Sequence, residues 1–472
     1  MGKKQMALAE NGFRKFGMID KLAYAAGDFG CNMSFALKGT LVIFWTQYMG
    51  MNEIVMAGLL LLVQVWDAIN DPLIGAMVDA DKRHYKRNKF LTYIMVGAIG
   101  LTFAGAMCFI PWKSAPAMAK NILFVAGYII WDAFYTVANV PYGSMLSLIT
   151  NEAGERAQLS TFRSMGSMIA GLLTGMILPM LIYDNANNLL GSRLFVIALI
   201  MGGIGLIFFT FMIRKTVIRV QTEVNVKEDA PKFNPFHAMG NFMRNRPAVG
   251  ATLGAVAVFI GMYGAQTATQ VMFQSYFKKA QISGVIGMIS YLGLFLFIPF
   301  VGKIVKRFGK KEGLVVGSSI SMAAYVLMLV LPITPDGKGL TLFVICQLIA
   351  AVGNGFGTCV SYALMADAMD YEEWKFGERN EGTTYAMHSF FRKLAQGIGP
   401  SLGLVLATWL GYNAQLGANQ SLDVATNMRY LTAALYLLGA AMQFVAYVFI
   451  YNLDKKKLEK MEQDLKARHH AK

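Results

Sequence analysis

Residues 66–72, Trp66-Asp67-Ala68-Ile69-Asn70-Asp71-Pro72, place two carboxylates and an amide inside a long apolar run, 54–78. Asp67 and Asp71 are four residues apart, so a helix would carry them on one face. A charged side chain in a bilayer costs about 2.5–3.5 kcal/mol on insertion scales, and it usually faces a bundle interior. We interpret this stretch as the binding site of a coupling ion. A structural carboxylate pair, satisfied by neighbouring basic and amide groups, is the alternative.

The rest of the chain has the composition of a polytopic membrane protein. Of its 472 residues, 55% are hydrophobic and 15% are charged, whereas soluble domains carry about 25% charged residues. The apolar residues form runs of about 20 or more, which is the length that crosses a bilayer as a helix. A β-barrel would show short alternating segments instead. We therefore expect an all-α membrane protein.

About twelve apolar runs are long enough to span the membrane. They lie near 21–48, 54–78, 91–111, 119–148, 160–183, 194–213, 248–277, 282–302, 313–332, 340–368, 382–410 and 427–451. The pattern predicts an N-terminal six-helix half (1–213), a cytoplasmic middle loop (214–247), a C-terminal six-helix half (248–451) and a cytoplasmic tail (452–472). Within the tail, helical spacing and mixed charge over 454–468 indicate a solvated helix.

Basic residues are concentrated in alternate loops. They include Lys3, Lys4, Arg14, Lys15, Lys82, Arg83, Lys86, Arg87, Lys89, Arg214, Lys215, Arg219, Lys303, Lys306, Arg307, Lys310 and Lys311. By the positive-inside rule these loops and both termini are cytoplasmic, which requires an even number of spans. The net charge of +15 thus has a membrane explanation, and we expect no nucleic-acid partner. We predict a multi-pass protein of the cell membrane.

The sequence contains none of the patterns that would indicate an enzyme. It has no phosphate-binding Walker A loop, no GxSxG elbow and no HExxH helix. Its four cysteines lie in predicted spans without CxxC spacing, so we expect neither disulfides nor a metal centre. We predict no catalytic residues and no cofactor, with Na⁺ or H⁺ as the coupling ion of a secondary transporter.

The first predicted span is interrupted by Asp28, Asn32 and Lys38. Lys38 lies roughly ten residues from the outer end, or about 15 Å along a helix, which is far for its ammonium to reach the interface. Two interpretations of Lys38 remain open. It faces a carboxylate inside a cavity, either of the protein or of a solute, or it forms a structural ion pair with Asp67 or Asp71.

The fourth predicted span carries a polar stripe. Tyr128, Asp132, Tyr135 and Asn139 follow a 4-3-4 spacing, with Thr136 beside them, so they share one face of a helix. Aromatic rings combined with hydrogen-bonding groups suit a sugar, which presents an apolar face and a rim of hydroxyls. An ordinary core stripe would rarely include both Asp and Asn.

Two further polar regions lie in the C-terminal half. The eleventh span carries a polar face that includes Tyr385, His388, Ser389, Arg392, Lys393 and Gln396. The segment 367–379 is dense in charge at an inner membrane edge. Its members Asp370, Glu373 and Arg379, with Arg156 and Arg163 as candidate partners, could form an ion-pair network that latches one conformation, or a solvated loop.

Together these residues resemble the glycoside–pentoside–hexuronide:cation symporters, the melibiose-permease branch of the major facilitator superfamily, over essentially the whole chain. The matching residues are Tyr24, Gly27-Asp28, Asn32, Trp66 to Pro72, Tyr135-Thr136, Asn139 to Gly143, Glu155-Arg156, Gln158-Leu159, Ala366-Asp367, Asp370-Tyr371, Tyr385 and Lys393. The resemblance implies a major facilitator fold and cation-coupled import of a sugar, glycoside or hexuronide by alternating access.

The resemblance also implies roles for individual residues. Asp67, Asn70, Asp71 and Thr136 look like the cation site. The expected substrate-binding residues are Asp28, Asn32, Lys38, Tyr135, Asn139, Arg163, His388, Ser389 and Lys393. The gating residues would be Arg156, Asp367, Asp370, Glu373 and Arg379. A functional monomer in the lipid bilayer is expected.

The chain departs from the melibiose permease at four positions. Asn32 and Asn139 stand where that protein has sugar-binding carboxylates, Gly143 replaces an aromatic residue, and Lys38 is outside the pattern. Fewer negative charges and one added positive charge favour an anionic solute, so we hypothesise a hexuronide. A carrier of a lipid or another non-sugar solute is the alternative, since relatives of this family move lysolipids.

Overall fold

Long helices contain most of the residues that the computed structural model describes, which are 14–81, 83, 85, 88–150, 152–219, 235–377 and 381–470. The α-helices of these ranges are α1 (Met18–Phe35), α2 (Leu41–Ile43), α3 (Glu53–Ala80), α4 (Lys89–Met107), α5 (Ala117–Ser144), α6 (Leu146–Ile149), α7 (Ala153–Ile182), α8 (Gly191–Lys215), α9 (Pro235–Arg244), α10 (Arg246–Val271), α11 (Ser283–Gly287), α12 (Ile289–Phe297), α13 (Val301–Phe308), α14 (Lys310–Val330), α15 (Gly337–Phe376), α16 (Glu381–Trp409), α17 (Leu422–Val445) and α18 (Lys455–His470). The all-α prediction is confirmed.

Ten helical segments in the described ranges are long and apolar enough to cross a membrane. The predicted first and eleventh spans are also helical, at 18–48 and 381–409, but they are not among these ten. They are the spans in which the sequence carries its densest polar groups, such as Lys38 and Lys393. Two of the helices that carry predicted substrate residues, α1 and α16, therefore have a weaker membrane signal than the ten.

The helical backbone changes its winding around Lys38. After α1 the chain tightens into a 3₁₀ helix over Ala36–Thr40, passes through α2 and widens into a π-helix over Phe44–Tyr48. Such changes inside a span often mark functional positions. The 3₁₀ turn determines the direction in which the Lys38 side chain leaves the helix.

Helix α3 ends at a hydrogen-bonded aspartate in the following loop. Asp81 accepts hydrogen bonds from the hydroxyl groups of Tyr85 and Tyr93 and from the backbone N–H of Arg83. These donors favour the carboxylate, so they lower the pKa of Asp81 to about 2, with the Tyr85 bond as the largest cause. The contacts fix the end of the helix that carries Asp67 and Asp71.

The described chain divides into two compact units. Unit 1 comprises residues up to 51 together with 65–184 and 189–229, and unit 2 comprises 52–64, 185–188 and the residues from 230 onward. In unit 1, α1 packs against α7 and α8, and α4 packs against α5 and α8. In unit 2, α10 packs against α16 and α17, while α15 packs against α12 and α14. The predicted half boundaries at 213 and 248 stay predictions.

Small residues let the helices of unit 1 approach closely. An ideal Cβ on Gly166 of α7 would lie 2.3 Å from the carbonyl oxygen of Ala25 on α1. Backbones in membrane bundles come into contact in this way at glycine. The contact places Arg163 and Ser167 of α7 beside the polar groups of α1.

We therefore expect Gly166→Leu to force α1 and α7 apart and to lower the free energy of unfolding by about 1–3 kcal/mol or more, the usual effect of overpacking. Gly175→Leu on the same helix is the matched control, because no described atom outside its own helix lies within 4 Å of an added Cβ. The thermal midpoint of the detergent-purified variants measures the difference. Equal midpoints for the two variants would contradict this packing.

The tail helix α18 differs from its prediction as a solvated helix. Met461 is 0% exposed and packs, with Leu465, in an apolar cluster that includes Tyr371 at the end of α15. The indole N–H of Trp374 donates to Asp464 Oδ2 at 2.9 Å. Mixed charge suggested exposure on all sides, but the two apolar residues, four apart, form a narrow stripe that is buried.

Candidate functional site

The residues that the sequence assigns to ion binding lie in unit 1, on α5 and on the part of α3 that begins at Val65. Asp67 and Asp71 are one turn apart on α3, and Asp132 and Thr136 are one turn apart on α5. This i, i+4 spacing aligns each pair along one helix face. The two polar faces meet, as the hydrogen bonds across them show.

Asn70 is the centre of this network. Its side-chain amide donates to Asp132 Oδ2 at 2.9 Å and to Thr136 Oγ1 at 3.1 Å. The Thr136 hydroxyl in turn donates to Asp71 Oδ1 at 2.9 Å. Asn70 and Thr136 are 3% and 1% exposed, whereas Asp71 is partly buried. The structure thus joins Asn70, Asp71 and Thr136, and it adds Asp132.

Lys38 lies beside the other α3 carboxylate. Its Nζ is 3.6 Å from Asp67 Oδ2. The ammonium also lies 5.5 Å from the ring centroids of both Phe35 and Tyr128, within cation–π range. This geometry gives Lys38 a carboxylate of the protein as its partner, which both of the open interpretations include.

The network around Asn70 consists of carboxylate, hydroxyl and amide groups. Within the described ranges, no group of three or more His, Cys, Asp or Glu side chains is arranged to hold a metal ion. The oxygens around Asn70 are instead those of two carboxylates and a hydroxyl. Hard oxygen donors of this kind suit Na⁺, and a carboxylate also carries H⁺.

A second polar group joins α1 to α7. Arg163 Nε donates to Asp28 Oδ1 at 3.0 Å, and the guanidinium lies 4.7 Å from the Tyr142 ring centroid. The Asn32 amide donates to the Asp28 carbonyl oxygen at 2.8 Å and to Ser167 Oγ at 3.0 Å. Three predicted substrate residues, Asp28, Asn32 and Arg163, are therefore contiguous.

Aromatic rings on α5 continue this surface. Tyr135 stacks on Trp131 at a centroid distance of 5.5 Å and lies 5.8 Å from the Phe35 ring. The Trp131 indole is held by a 2.7 Å hydrogen bond to Ser34 Oγ. Asn139 follows Tyr135 by one turn and is partly buried. Fixed rings next to hydrogen-bonding groups can pack on the apolar face of a sugar.

The remaining predicted substrate residues lie on α16 in unit 2. His388 is 5% exposed, and its Nδ1 shares a 2.8 Å hydrogen bond with Thr252 Oγ1 of α10. Ser389 and Lys393 are partly buried on the same helix. The buried His388 is thus oriented by a neighbouring hydroxyl.

The predicted gating residues are distributed over both units. In unit 2, Lys310 donates to both oxygens of Asp367 at 2.7 Å. Asp370 and Glu373 follow on α15, which α18 contacts near its end. In unit 1, Arg156 Nε donates to the Thr150 carbonyl oxygen at 2.9 Å. Arg379 lies outside the described residues, and the latch between these groups stays a prediction.

Sequence reasoning missed several contributors. Ser167, Ser34 and Lys310 carry no pattern of their own, because each acts through a contact between distant helices. Asp132 had a signal, since it lies on the 4-3-4 stripe of α5, but the stripe was interpreted as a sugar surface. The hydrogen bond from Asn70 shows that Asp132 also contacts the residues that the sequence predicts to bind the ion.

Residues 23–455 match the family model described as MFS/sugar transport protein. The chain is 29% identical over 457 residues to the uncharacterized symporter YjmB of Bacillus subtilis (96% of each chain). It is 28% identical to the isoprimeverose transporter of Lactiplantibacillus pentosus (95% of this chain, 91% of the relative). It is 26% identical to the glucuronide carrier protein homolog of Escherichia coli (95% of each).

A solved structure shares the fold. It is a bacterial homolog of the human lysosomal transporter Spinster, in an inward-facing and unoccupied conformation, with a TM-score of 0.63 at 17% identity. The alignment covers 94% of this chain and 97% of that one. The predicted major facilitator fold is confirmed, and the relatives agree with the resemblance to glycoside–pentoside–hexuronide symporters.

Proposed function

This chain belongs to the MFS/sugar transport protein family, so it is a multi-pass membrane transporter and not an enzyme, and we propose that it imports a glycoside or hexuronide together with Na⁺ or H⁺. The coupling ion binds at Asp67, Asn70, Asp71 and Thr136. Transport proceeds by alternating access, and the functional unit is a monomer in the cell membrane with both termini cytoplasmic.

The observation that carries the proposal is the hydrogen-bonded bridge from the buried Asn70 and Thr136 to the partly buried Asp71. Removing a carboxylate from water inside a membrane protein is expensive and usually marks an ion or proton pathway. A neutral packing role would be served by apolar residues of similar volume. This arrangement instead holds a carboxylate, a hydroxyl and an amide in fixed positions.

The proposed substrate class follows from the second polar group and the aromatic surface. Arg163, Asp28 and Asn32 offer donors and acceptors next to the stacked rings of Tyr135 and Trp131. Two of the relatives are named for an isoprimeverose and for a glucuronide, which supports a glycoside with or without a carboxylate. Since Lys38 pairs with Asp67, the hexuronide proposal no longer depends on Lys38.

Uptake into proteoliposomes tests this function. A labelled glucuronide and a matched neutral xyloside are each driven first by an inward Na⁺ gradient at constant pH, then by a pH gradient without Na⁺. We expect at least one sugar to accumulate above its external concentration with one of the ions. Which sugar accumulates identifies the substrate class. Equilibration of both sugars without accumulation under either gradient would contradict cation-coupled import.

A further inference from the structure

The network around Asn70 contains one carboxylate more than the proposed coupling site. Asp132 is 1% exposed, and its Oδ2 accepts from the same amide nitrogen that donates to Thr136. Because Thr136 donates to Asp71, Asp71 and Asp132 are the two ends of one hydrogen-bonded chain. A cation that binds to this chain is attracted by both carboxylates.

Asp67 faces a cation that belongs to the protein. Lys38 Nζ is 3.6 Å away, and the side chains of Lys38 and Asp67 are 17% and 11% exposed. Screening by water is weak at that burial, so the ammonium competes with any coupling ion for Asp67. The carboxylate that the family pattern pairs with Asp71 is therefore partly neutralised.

The formal charges of these groups compensate. Asp67 and Asp71 alone carry two negative charges, and adding both Lys38 and Asp132 leaves that total unchanged. The presence of Lys38 without Asp132 would make the local charge less negative by one unit. Asp132 thus restores the attraction for a monovalent cation that Lys38 removes.

A second feature beside these carboxylates lacks a protein partner. Tyr128 is 1% exposed and lies one turn before Asp132 on α5, and its hydroxyl has no hydrogen-bond partner among the described residues. Its ring lies 5.5 Å from Lys38 Nζ and interacts electrostatically with Asp67 and Asp132. A buried tyrosine hydroxyl usually has a partner, so this oxygen is placed for a ligand.

We propose that Asp71 and Asp132 are the carboxylate pair that receives the coupling cation, that the Tyr128 hydroxyl completes the site, and that Lys38 holds Asp67. This inference rests on the proposed function and changes its ion site. Two carboxylates meet the cation and the third is reserved for Lys38, which agrees with the absence, in the described part of the chain, of a three-carboxylate metal geometry.

A double-mutant cycle tests the compensation, because only interacting residues deviate from additivity. The readout is the cation concentration that gives half-maximal sugar uptake, titrated as Na⁺ at constant pH and as H⁺ without Na⁺. We expect Asp132→Asn to raise this half-saturating cation concentration about tenfold or more and Lys38→Gln to lower it. The double variant should return to within about threefold of the unmodified protein, because its formal charge is restored.

Two outcomes would overturn the inference. They are an unchanged half-saturating concentration in Asp132→Asn, and a double variant that is no better than Asp132→Asn. Glu372→Gln is the matched control, since Glu372 is 4% exposed and accepts from the Thr384 hydroxyl in unit 2. We expect it to leave the titration unchanged. If Asp132→Asn does not reach the membrane, Tyr128→Phe tests the same site. We expect it to raise the half-saturating cation concentration about threefold. An unchanged concentration overturns the inference.

Failure of this inference is distinguishable from failure of the proposed function. If Asp71→Asn loses gradient-driven accumulation while Asp132→Asn titrates normally, the coupling site stands and the role of Asp132 is wrong. If Asp71→Asn also accumulates sugar normally, the coupling site itself is wrong.

Discussion

Asp71→Asn is expected to abolish accumulation of the sugar against its gradient while leaving sugar exchange across the membrane largely intact. Asparagine has nearly the same shape, and its Oδ1 can still accept the hydrogen bond from Thr136 that Asp71 accepts at 2.9 Å. Only the charge that holds the cation is removed. Coupling free energies of about 1–3 kcal/mol correspond to about 5–150-fold effects. Without this coupling the ion gradient cannot drive the sugar, so the ratio of internal to external sugar should fall to about one.

Asp71→Cys should have the same effect, since it also removes the carboxylate. The control is Asp336→Asn, because Asp336 caps α15 in a loop by accepting from Gly339 N–H and asparagine caps helices equally well. Accumulation and exchange are measured in the same vesicles. Full accumulation by both Asp71 variants would refute the assignment.

Arg163→Gln is expected to reduce sugar uptake roughly 100-fold. The change removes the donor that lies 3.0 Å from Asp28 and leaves that carboxylate, whose side chain is 12% exposed, without its ion pair. Breaking a buried pair costs about 3–5 kcal/mol. Since the Arg163 side chain is 34% exposed, solvent screening places the expected effect at the lower end, near 3 kcal/mol.

The Asp28→Asn, Arg163→Gln double variant separates substrate binding from folding. It has no unpaired charge, so the amount of folded protein in the membrane should recover, while uptake should stay low if both groups contact the sugar. Arg193→Gln, an exposed arginine at the start of α8, controls for loss of a positive charge. Recovery of uptake in the double variant would show that the pair is structural only.

Much of this architecture follows from the sequence. The apolar runs predicted the helices closely, for example 54–78 against α3, Glu53–Ala80, because membrane insertion requires a continuous apolar length. The i, i+4 spacing of Asp67 and Asp71 placed them on one face. The match to Asn70 and Thr136 identified two residues that the structure joins to Asp71 by hydrogen bonds.

Other features required the three-dimensional structure. Lys38 had two open interpretations because its direction depends on the 3₁₀ turn of Ala36–Thr40, which no apolar pattern encodes. Asp132 was visible on its helix stripe, but its partner Asn70 is 62 residues away in the chain. Periodicity describes the face of one helix, and the meeting of two faces depends on packing, such as the contact of Gly166 with Ala25.

Sugar-triggered ion entry is the measurement that tests coupling most directly. Proteoliposomes that contain a Na⁺- or pH-sensitive dye are held at equal ion concentrations on both sides, and the sugar that is transported is added outside. Because coupling is reciprocal, we predict that the sugar drives entry of one of these ions in the unmodified protein and that Asp71→Asn removes this entry. Sugar uptake without entry of either ion would contradict the account.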